Sequence, residues 1–148
     1  MGKKSIYLAS IAMSMFCLTL SCAKKPTPAP NPSPGLTAIV SGVAWTATTL
    51  TATSTNGVDT IAGLRASDSS TILLLFPSNQ NSGDTLKFGS ISTIEYIKSN
   101  ITYDAINGSI IISSSANNIL KGTFTATVED FNTSNKITIT GGAFTAKF

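Results

Sequence analysis

The segment Leu120-Lys-Gly-Thr-Phe-Thr-Ala-Thr-Val-Glu129 decides the fold class, because apolar and hydroxyl side chains alternate along it. In a strand, Phe124, Ala126 and Val128 would share one face and the threonines between them the other. A period of two over this length is typical of an antiparallel strand with one buried face. The apolar face is predicted to continue in the C-terminal residues Ile137, Ile139, Phe144, Ala146 and Phe148.

Turn residues divide the rest of the chain from Leu36 into short alternating runs, which is typical of an all-β domain. The run Ile72-Leu-Leu-Leu-Phe76 is apolar on both faces and ends at Pro77, so we predict a central strand there. Asn107-Gly108 and Gly141-Gly142 are predicted turns. The predicted strands are 36–40, 43–48, 58–65, 71–76, 85–88, 93–98, 101–105, 109–113, 120–129, 137–140 and 143–148.

Connections this short make consecutive strands neighbours, so we predict an antiparallel meander of about ten strands. So many strands in one small domain must curl to bury a common face. We therefore expect a small closed β-barrel, with a two-sheet β-sandwich as the alternative. The domain is expected to span 36–148 as one unit.

The N-terminus has the three parts of an export signal: Lys3 and Lys4, an apolar run over 6–20, and Cys22 directly after Leu18-Thr-Leu-Ser21. It resembles the lipobox of bacterial lipoproteins, although Thr19 stands where that motif usually has an aliphatic residue. The resemblance implies that residues 1–21 are a removed signal peptide and that Cys22 carries the lipid. The alternative is an ordinary secretory signal in which Cys22 is incidental.

Between the signal and the domain, five prolines alternate with small or polar residues from Pro26 to Pro34. This pattern favours extended polyproline II and excludes a helix. At about 3.1 Å per residue, the stretch would hold the domain roughly 40 Å from a membrane surface. We predict that 22–35 form a lipidated, semi-rigid stalk, and that the membrane is contacted through the lipid.

The net charge of +3 belongs to export and anchoring, because four lysines precede the domain. The domain itself has six basic and seven acidic residues, a net charge of −1. Nucleic acid is therefore not an expected partner. The chain has two cysteines, Cys17 in the signal and Cys22 at its end, so no disulfide is expected in the domain.

Several short motifs resemble a family of small secreted lipoproteins of Bacteroidota-type bacteria: Val40-Ser-Gly-Val-Ala-Trp-Thr-Ala47, Leu86-Lys-Phe-Gly89, Gly108-Ser-Ile-Ile-Ile112, Lys121-Gly-Thr-Phe-Thr-Ala-Thr127 and Gly141-Gly-Ala-Phe144. The resemblance implies a β-rich envelope lipoprotein and supplies no catalytic residue, since that family has no established function. Ala23, rather than aspartate, follows the cysteine, which implies the outer membrane. The stalk lacks an acidic surface-export signal, which favours the periplasmic face over the cell surface.

The absence of histidine excludes Ser–His and Cys–His nucleophile pairs and histidine metal sites. If Ser99-Asn100 forms a turn, Glu95 faces Asp104 across a hairpin, as a general acid and base of a glycan hydrolase would. The alternative is a pair of solvated carboxylates. The segment from Asp130 begins like a calcium loop, but lacks glycine at its sixth position and a carboxylate at its twelfth. We expect no metal and no cofactor.

In the same hairpin Tyr96 would face Tyr103, and together with Trp45 they are candidate residues of a sugar-stacking platform. The alternative is that the tyrosines stabilise the sheet and that Trp45 lies in the core. We predict a non-enzymatic binding or structural module tethered by Cys22, with a neutral glycan or an envelope protein as partner. The alternative function is a glycan-binding or glycan-hydrolysing protein that uses the two tyrosines and the carboxylate pair.

Overall fold

The computed structural model describes residues 33–89 and 91–148, so the predicted signal, Cys22 and most of the stalk lie outside the described residues. No helix in these two ranges is long and apolar enough to cross a membrane. Ten strands account for most of the described chain: β1 Gly35–Val40, β2 Val43–Thr46, β3 Thr49–Thr55, β4 Val58–Arg65, β5 Ser70–Pro77, β6 Thr85–Lys87, β7 Thr93–Lys98, β8 Ile101–Ala116, β9 Ile119–Asp130 and β10 Asn135–Lys147.

All ten strands form a single antiparallel sheet in the order β2-β1-β10-β9-β8-β7-β5-β4-β3, with β6 beside β8. The predicted all-β class and antiparallel arrangement are confirmed. The strand predicted to be central, β5, pairs with β4 on one side and β7 on the other. The order departs from a pure meander at two points, because β1 pairs with β10 and β6 pairs with β8.

The sheet curls into a half-barrel, and its two ends meet at the connection between β2 and β3. The N–H of Ala47 donates to the carbonyl of Leu36 on β1 at 2.9 Å, and the next N–H, of Thr48, donates to the carbonyl of Leu64 on β4 at 2.7 Å. Two adjacent residues therefore bond to strands near opposite ends of the sheet. This switch of partner at one corner is what a curled sheet requires.

Both predicted glycine turns are wrong, because each lies inside a continuous strand. The pairing of β8 with β9 shifts register between Ala105 and Asn107, and Gly108 has φ +135°. The pairing of β10 with β9 shifts between Ile139 and Gly142, where Gly141 has φ +56°. Extra residues of this kind bend a strand and increase its twist. They allow β8 and β10 to follow the curl.

The prediction also missed β3 and extended β2 too far. The inward residues of β3, Leu50 and Ala52, are only half-buried, and the strand is otherwise made of hydroxyl residues. The two faces of β3 therefore differ little in hydrophobicity, and the alternation is a weak signal in the sequence. The strand forms because β4 offers a complete register of partners, from Thr49 opposite Leu64 to Thr55 opposite Val58.

The concave face of the sheet is filled by one apolar core. Phe124, Ala126 and Val128 are buried as predicted, and Thr123 and Thr125 are exposed on the other face. The rings of Phe76 and Phe144 pack with their centroids 6.3 Å apart. Fully buried side chains from the other strands complete this core: Trp45, Ile61, Ile72, Leu74, Ile94, Ile110, Ile112 and Ile139.

Candidate functional site

A cavity of about 480 Å³ lies at the end of the half-barrel where β3, β5 and β8 end and β4 and β9 begin. Its walls come from segments distant in sequence: the β3–β4 hairpin, the residues after β5, the β8–β9 turn and the last residue, Phe148. We call it the rim cavity. Its size falls within the roughly 300–1,000 Å³ of small-molecule sites.

The acidic group of the rim cavity is Asp59, on the inward face of β4. In the sheet it stands opposite Ser54 on β3 and Phe76 on β5. The residue is only 8% exposed. Within the described ranges its carboxylate forms no ion pair and accepts no side-chain or backbone hydrogen bond. No fully buried side-chain oxygen or nitrogen there lacks a partner, so the Asp59 oxygens keep access to the cavity.

A carboxylate on an otherwise buried side chain without a protein partner is unusual, because a charge removed from water costs free energy that a partner normally restores. The Asp59 oxygens avoid that cost by remaining accessible through the cavity. The other buried carboxylate, Asp130 at 3% exposure, follows the rule and accepts hydrogen bonds from its own loop. Asp59 differs because its available space is the rim cavity. The carboxylate is thus placed to accept hydrogen bonds from a ligand.

Amide side chains form the polar wall of the rim cavity. Asn117 and Asn118 make the two-residue β8–β9 turn with φ of +54° and +59°, values that suit a tight hairpin turn. Asn79 follows β5 with φ +68°. The side-chain amide of Gln80 donates to the carbonyl of Pro77 at 2.8 Å, which leaves its carbonyl oxygen available as an acceptor.

Apolar residues lie beside the amides in the lining of the rim cavity. Phe148 is half-buried there, and its N–H donates to the carbonyl of Asn118 at 2.9 Å. Leu120, at 5% exposure, and the exposed Ala116 complete this apolar wall. No lysine or arginine of the described residues lines the cavity. The site therefore combines one acidic side chain, several neutral hydrogen-bonding side chains and an aromatic ring.

The residues predicted to stack on a sugar lie in the hydrophobic core or pack against it. Trp45 is 0% exposed, and its Nε1–H donates to Oγ of Ser70 at 2.7 Å. Tyr96 and Tyr103 do face each other across β7 and β8, with ring centroids 6.0 Å apart. Tyr96, however, is only 2% exposed, and Tyr103 is half-buried against the core. Trp45 and Tyr96 are thus core side chains and present no ring surface to a ligand.

The predicted register of Glu95 opposite Asp104 is present in the β7–β8 pair. Burial raises the pKa of Glu95, and the charge of Asp104 raises it further. Both residues point away from the core, on the face opposite to Tyr96. The sheet therefore separates the carboxylates from the tyrosines, and the two pairs do not form one site.

At the other end of the half-barrel, the loop that resembles a calcium site is closed by its own first residue. The carboxylate of Asp130 accepts hydrogen bonds from the Thr133 hydroxyl and from the Asn132 N–H at 2.9 Å, which hold its pKa below the ordinary value. The turn leaves Phe131 67% exposed. Across residues 33–89 and 91–148, no group of three or more acidic or cysteine side chains could hold a metal ion.

Sequence reasoning missed Asp59, although a signal was present. In the run Val58 to Arg65, Asp59 shares its face with Ile61 and Gly63, both buried. A carboxylate in the inward register of an alternating strand is exceptional, since charged residues are almost never buried without a partner. This carboxylate among inward apolar residues was the signal in the sequence that could have identified Asp59 as a candidate site residue.

The model of a protein family described as a domain of unknown function, DUF6252, matches residues 32–146. No curated protein matches the chain. No solved structure matches it either.

Proposed function

Because the chain belongs to the DUF6252 family, whose function is unknown, we propose from its own features that it is a lipid-anchored, non-enzymatic binding module of the bacterial cell envelope. The observation that carries this proposal is Asp59, a carboxylate at 8% exposure whose oxygens face a cavity of about 480 Å³. A ligand in the rim cavity would supply the partners that the fold does not.

The anchor rests on the sequence. Lys3 and Lys4, the apolar run 6–20 and Cys22 suit a lipoprotein signal, and the proline-rich 22–35 suit a stalk. We propose Cys22 as the lipidated residue, and the periplasmic face of the outer membrane as the location.

The rim cavity is better suited to binding than to catalysis. General acid–base chemistry needs a positioned pair of groups that exchange protons with the substrate. Among the described residues, the side chains of the lining include one carboxylate, and the other polar side chains are amides and hydroxyls. Such groups orient a ligand and do not activate it.

The first strand of the domain begins at the end of the half-barrel that holds the rim cavity. Gly35 begins β1 and pairs with Thr145 near the end of β10, three residues before Phe148. The chain therefore enters the described domain at that end.

Lipid labelling tests the anchor. The wild-type protein should incorporate an alkyne fatty acid and sediment with membranes, and Cys22→Ala should lose both properties. Cys17→Ala is the matched control and should keep both, because it changes a cysteine inside the signal. Continued labelling of Cys22→Ala would refute the anchor.

Amide NMR of the full lipidated protein in detergent micelles tests the binding role. A small-molecule extract of the bacterial envelope should shift the signals of Ser54, Asp59 and Asn118, and Asp59→Asn should reduce the shifts. Glu129→Gln, a carboxylate change on the outer face, should not. An extract that leaves the rim-cavity signals unmoved would contradict the proposal.

A second candidate function is glycan hydrolysis by Glu95 and Asp104. The observation that favours it is their direct opposition in register, with the pKa of Glu95 raised by burial and by Asp104, as a general acid requires. Envelope glycans incubated with the protein should then release reducing ends, and Glu95→Gln should stop the release. Absence of hydrolysis by the wild type would remove this candidate.

A further inference from the structure

We propose that the ligand of the rim cavity is a neutral saccharide, with Asp59 accepting hydrogen bonds from its hydroxyl groups. This inference rests on the proposed binding function and specifies its ligand class. It is drawn from four properties of the cavity: its charge, its mixture of donors and acceptors, its apolar wall and the fixed backbone of its turns.

The charge of the cavity excludes anionic ligands. Asp59 is the acidic side chain of the lining, and among the described residues no basic side chain borders the cavity. A phosphate or carboxylate would meet a like charge in a partly desolvated site, which is strongly unfavourable. Recognition of such anions normally uses arginine, lysine or a helix N-terminus.

The amide groups favour hydroxyls over an ammonium ion. An ammonium group only donates hydrogen bonds, so it would satisfy Asp59 but gain no hydrogen bond from the amide N–H donors of Asn117 and Asn118. A hydroxyl group both donates and accepts. Several hydroxyls on one ligand would donate to Asp59 and to the Gln80 carbonyl, and accept from the asparagine amides. The lining is thus matched to a polyol.

The apolar wall gives the ligand a second requirement. Phe148, Leu120 and Ala116 lie in the lining beside Asn117 and Asn118. A pyranose ring carries hydroxyls at its edge and C–H groups on its faces, so it can hydrogen-bond to the polar groups and pack on the apolar ones. A volume of about 480 Å³ accommodates a mono- or disaccharide.

The backbone of the polar wall is already ordered. Asn117 and Asn118 are fixed in left-handed conformations by a two-residue turn between two long strands. The turn is tied to Phe148 by the 2.9 Å hydrogen bond from the Phe148 N–H. Binding therefore orders little additional chain, which reduces its entropic cost.

The test is an NMR titration of the full lipidated protein in micelles with glucose, galactose, mannose, N-acetylglucosamine and their disaccharides, and with methylammonium and phosphate for comparison. We expect at least one sugar to cause saturable shifts at Ser54, Asp59 and Asn118. Asp59→Asn should lower the affinity for that sugar at least about tenfold, because hydrogen bonds to charged groups are stronger than those between neutral groups. Glu129→Gln should bind as the wild type does.

A second variant keeps the test independent of the stability of Asp59→Asn. Asn118→Gly removes one amide group, while glycine accepts the +59° φ of that position. It should also weaken the sugar severalfold without loss of the folded NMR spectrum. Equal sugar affinity in Asn118→Gly and Asp59→Asn as in the wild type would overturn the proposal.

The ligand class and the binding role fail in different ways. Binding of methylammonium at the rim cavity, with no sugar bound, would overturn the saccharide proposal and leave the cavity as a ligand site. The same holds if the envelope extract moves the rim-cavity signals and no sugar does. If neither the extract nor any sugar shifts the rim-cavity signals, the ligand class and the binding function are both refuted.

Discussion

The indole Nε1–H of Trp45 on β2 donates a 2.7 Å hydrogen bond to Oγ of Ser70, the first residue of β5. The Ser70 hydroxyl in turn donates to Oδ1 of Asp68 at 2.7 Å, and Arg65 Nε donates to the same carboxylate at 2.9 Å. The Arg65 guanidinium lies 5.8 Å from the centre of the Trp45 ring. This network joins β2, at one end of the sheet order, to β4 and β5 near the other.

Ser70→Ala should destabilise the protein by about 1–3 kcal/mol, because it leaves the buried Trp45 N–H without an acceptor. Ser70 and Trp45 are both 0% exposed, so water cannot replace the hydroxyl. Urea unfolding followed by Trp45 fluorescence measures the change. Ser113→Ala, an exposed serine on β8, is the control and should stay within about 0.5 kcal/mol of the wild type. Equal stabilities of the two variants would contradict the prediction.

Acidification should weaken the part of the stability that Asp68 provides. Hydrogen bonds from Arg65 and Ser70 lower the pKa of Asp68 from its ordinary 3.8. A carboxyl group with a lowered folded pKa stabilises the fold above its unfolded pKa, and this contribution is lost as the pH falls through the folded value. The free energy of unfolding of the wild type should therefore exceed that of Asp68→Asn most at pH 7, and the difference should shrink below about pH 4. A difference that stays constant from pH 7 to pH 2 would be inconsistent with it.

Glu95→Gln should have the opposite pH dependence. Burial and Asp104 raise the folded pKa of Glu95 above its ordinary 4.5, so the charged form costs stability once the pH exceeds that range. The variant should be more stable than the wild type at pH 7, by up to about 1 kcal/mol, and equal to it at pH 3. Glu129→Gln is the comparison, because Glu129 also faces Asp104 in register but forms a 3.5 Å ion pair with Lys136. It loses that ion pair together with the repulsion, so it should gain less stability than Glu95→Gln.

Gly108→Ala should be strongly destabilising. Its φ of +135° is disfavoured for other residues, and an added Cβ would lie 2.6 Å from the Phe88 ring and closer still to the carbonyl oxygen of Thr125. Backbone strain and overpacking together predict a loss of about 2–5 kcal/mol. Gly89→Ala, where no atom lies within 4 Å of the added Cβ, should change the stability by less than about 0.5 kcal/mol. Comparable melting temperatures of the two variants would rule this explanation out.

The alternation of apolar and hydroxyl residues was enough to predict the strand class, the central position of β5 and the buried face of β9. It did not distinguish turns from bulges. Gly108 and Gly141 have positive φ, which both tight turns and β-bulges use. The choice depends on whether β9 pairs with the residues on both sides of the glycine, and that pairing is not local in sequence.

The candidate site was less predictable than the fold for the same reason. Ser54, Gln80, Asn118 and Phe148 have no common motif, and they come together only when the sheet curls. Local pattern did place Tyr96 opposite Tyr103 and Glu95 opposite Asp104, because a two-residue turn at Ser99-Asn100 fixes that register. Local pattern could not predict how deeply Tyr96 and Trp45 are buried, because their burial depends on packing against strands distant in sequence.

The pairing of β1 with both β2 and β10 gives the start of the domain a mechanical property. A pull on Gly35 along the axis of β1 enters the domain at the first residue of that strand. The ladder hydrogen bonds of antiparallel strands are perpendicular to that axis, so the force loads both ladders in shear and must break many bonds together. A hairpin edge pulled sideways would instead open one bond at a time. We expect the domain to remain folded when a bound ligand and the chain before Gly35 are drawn apart.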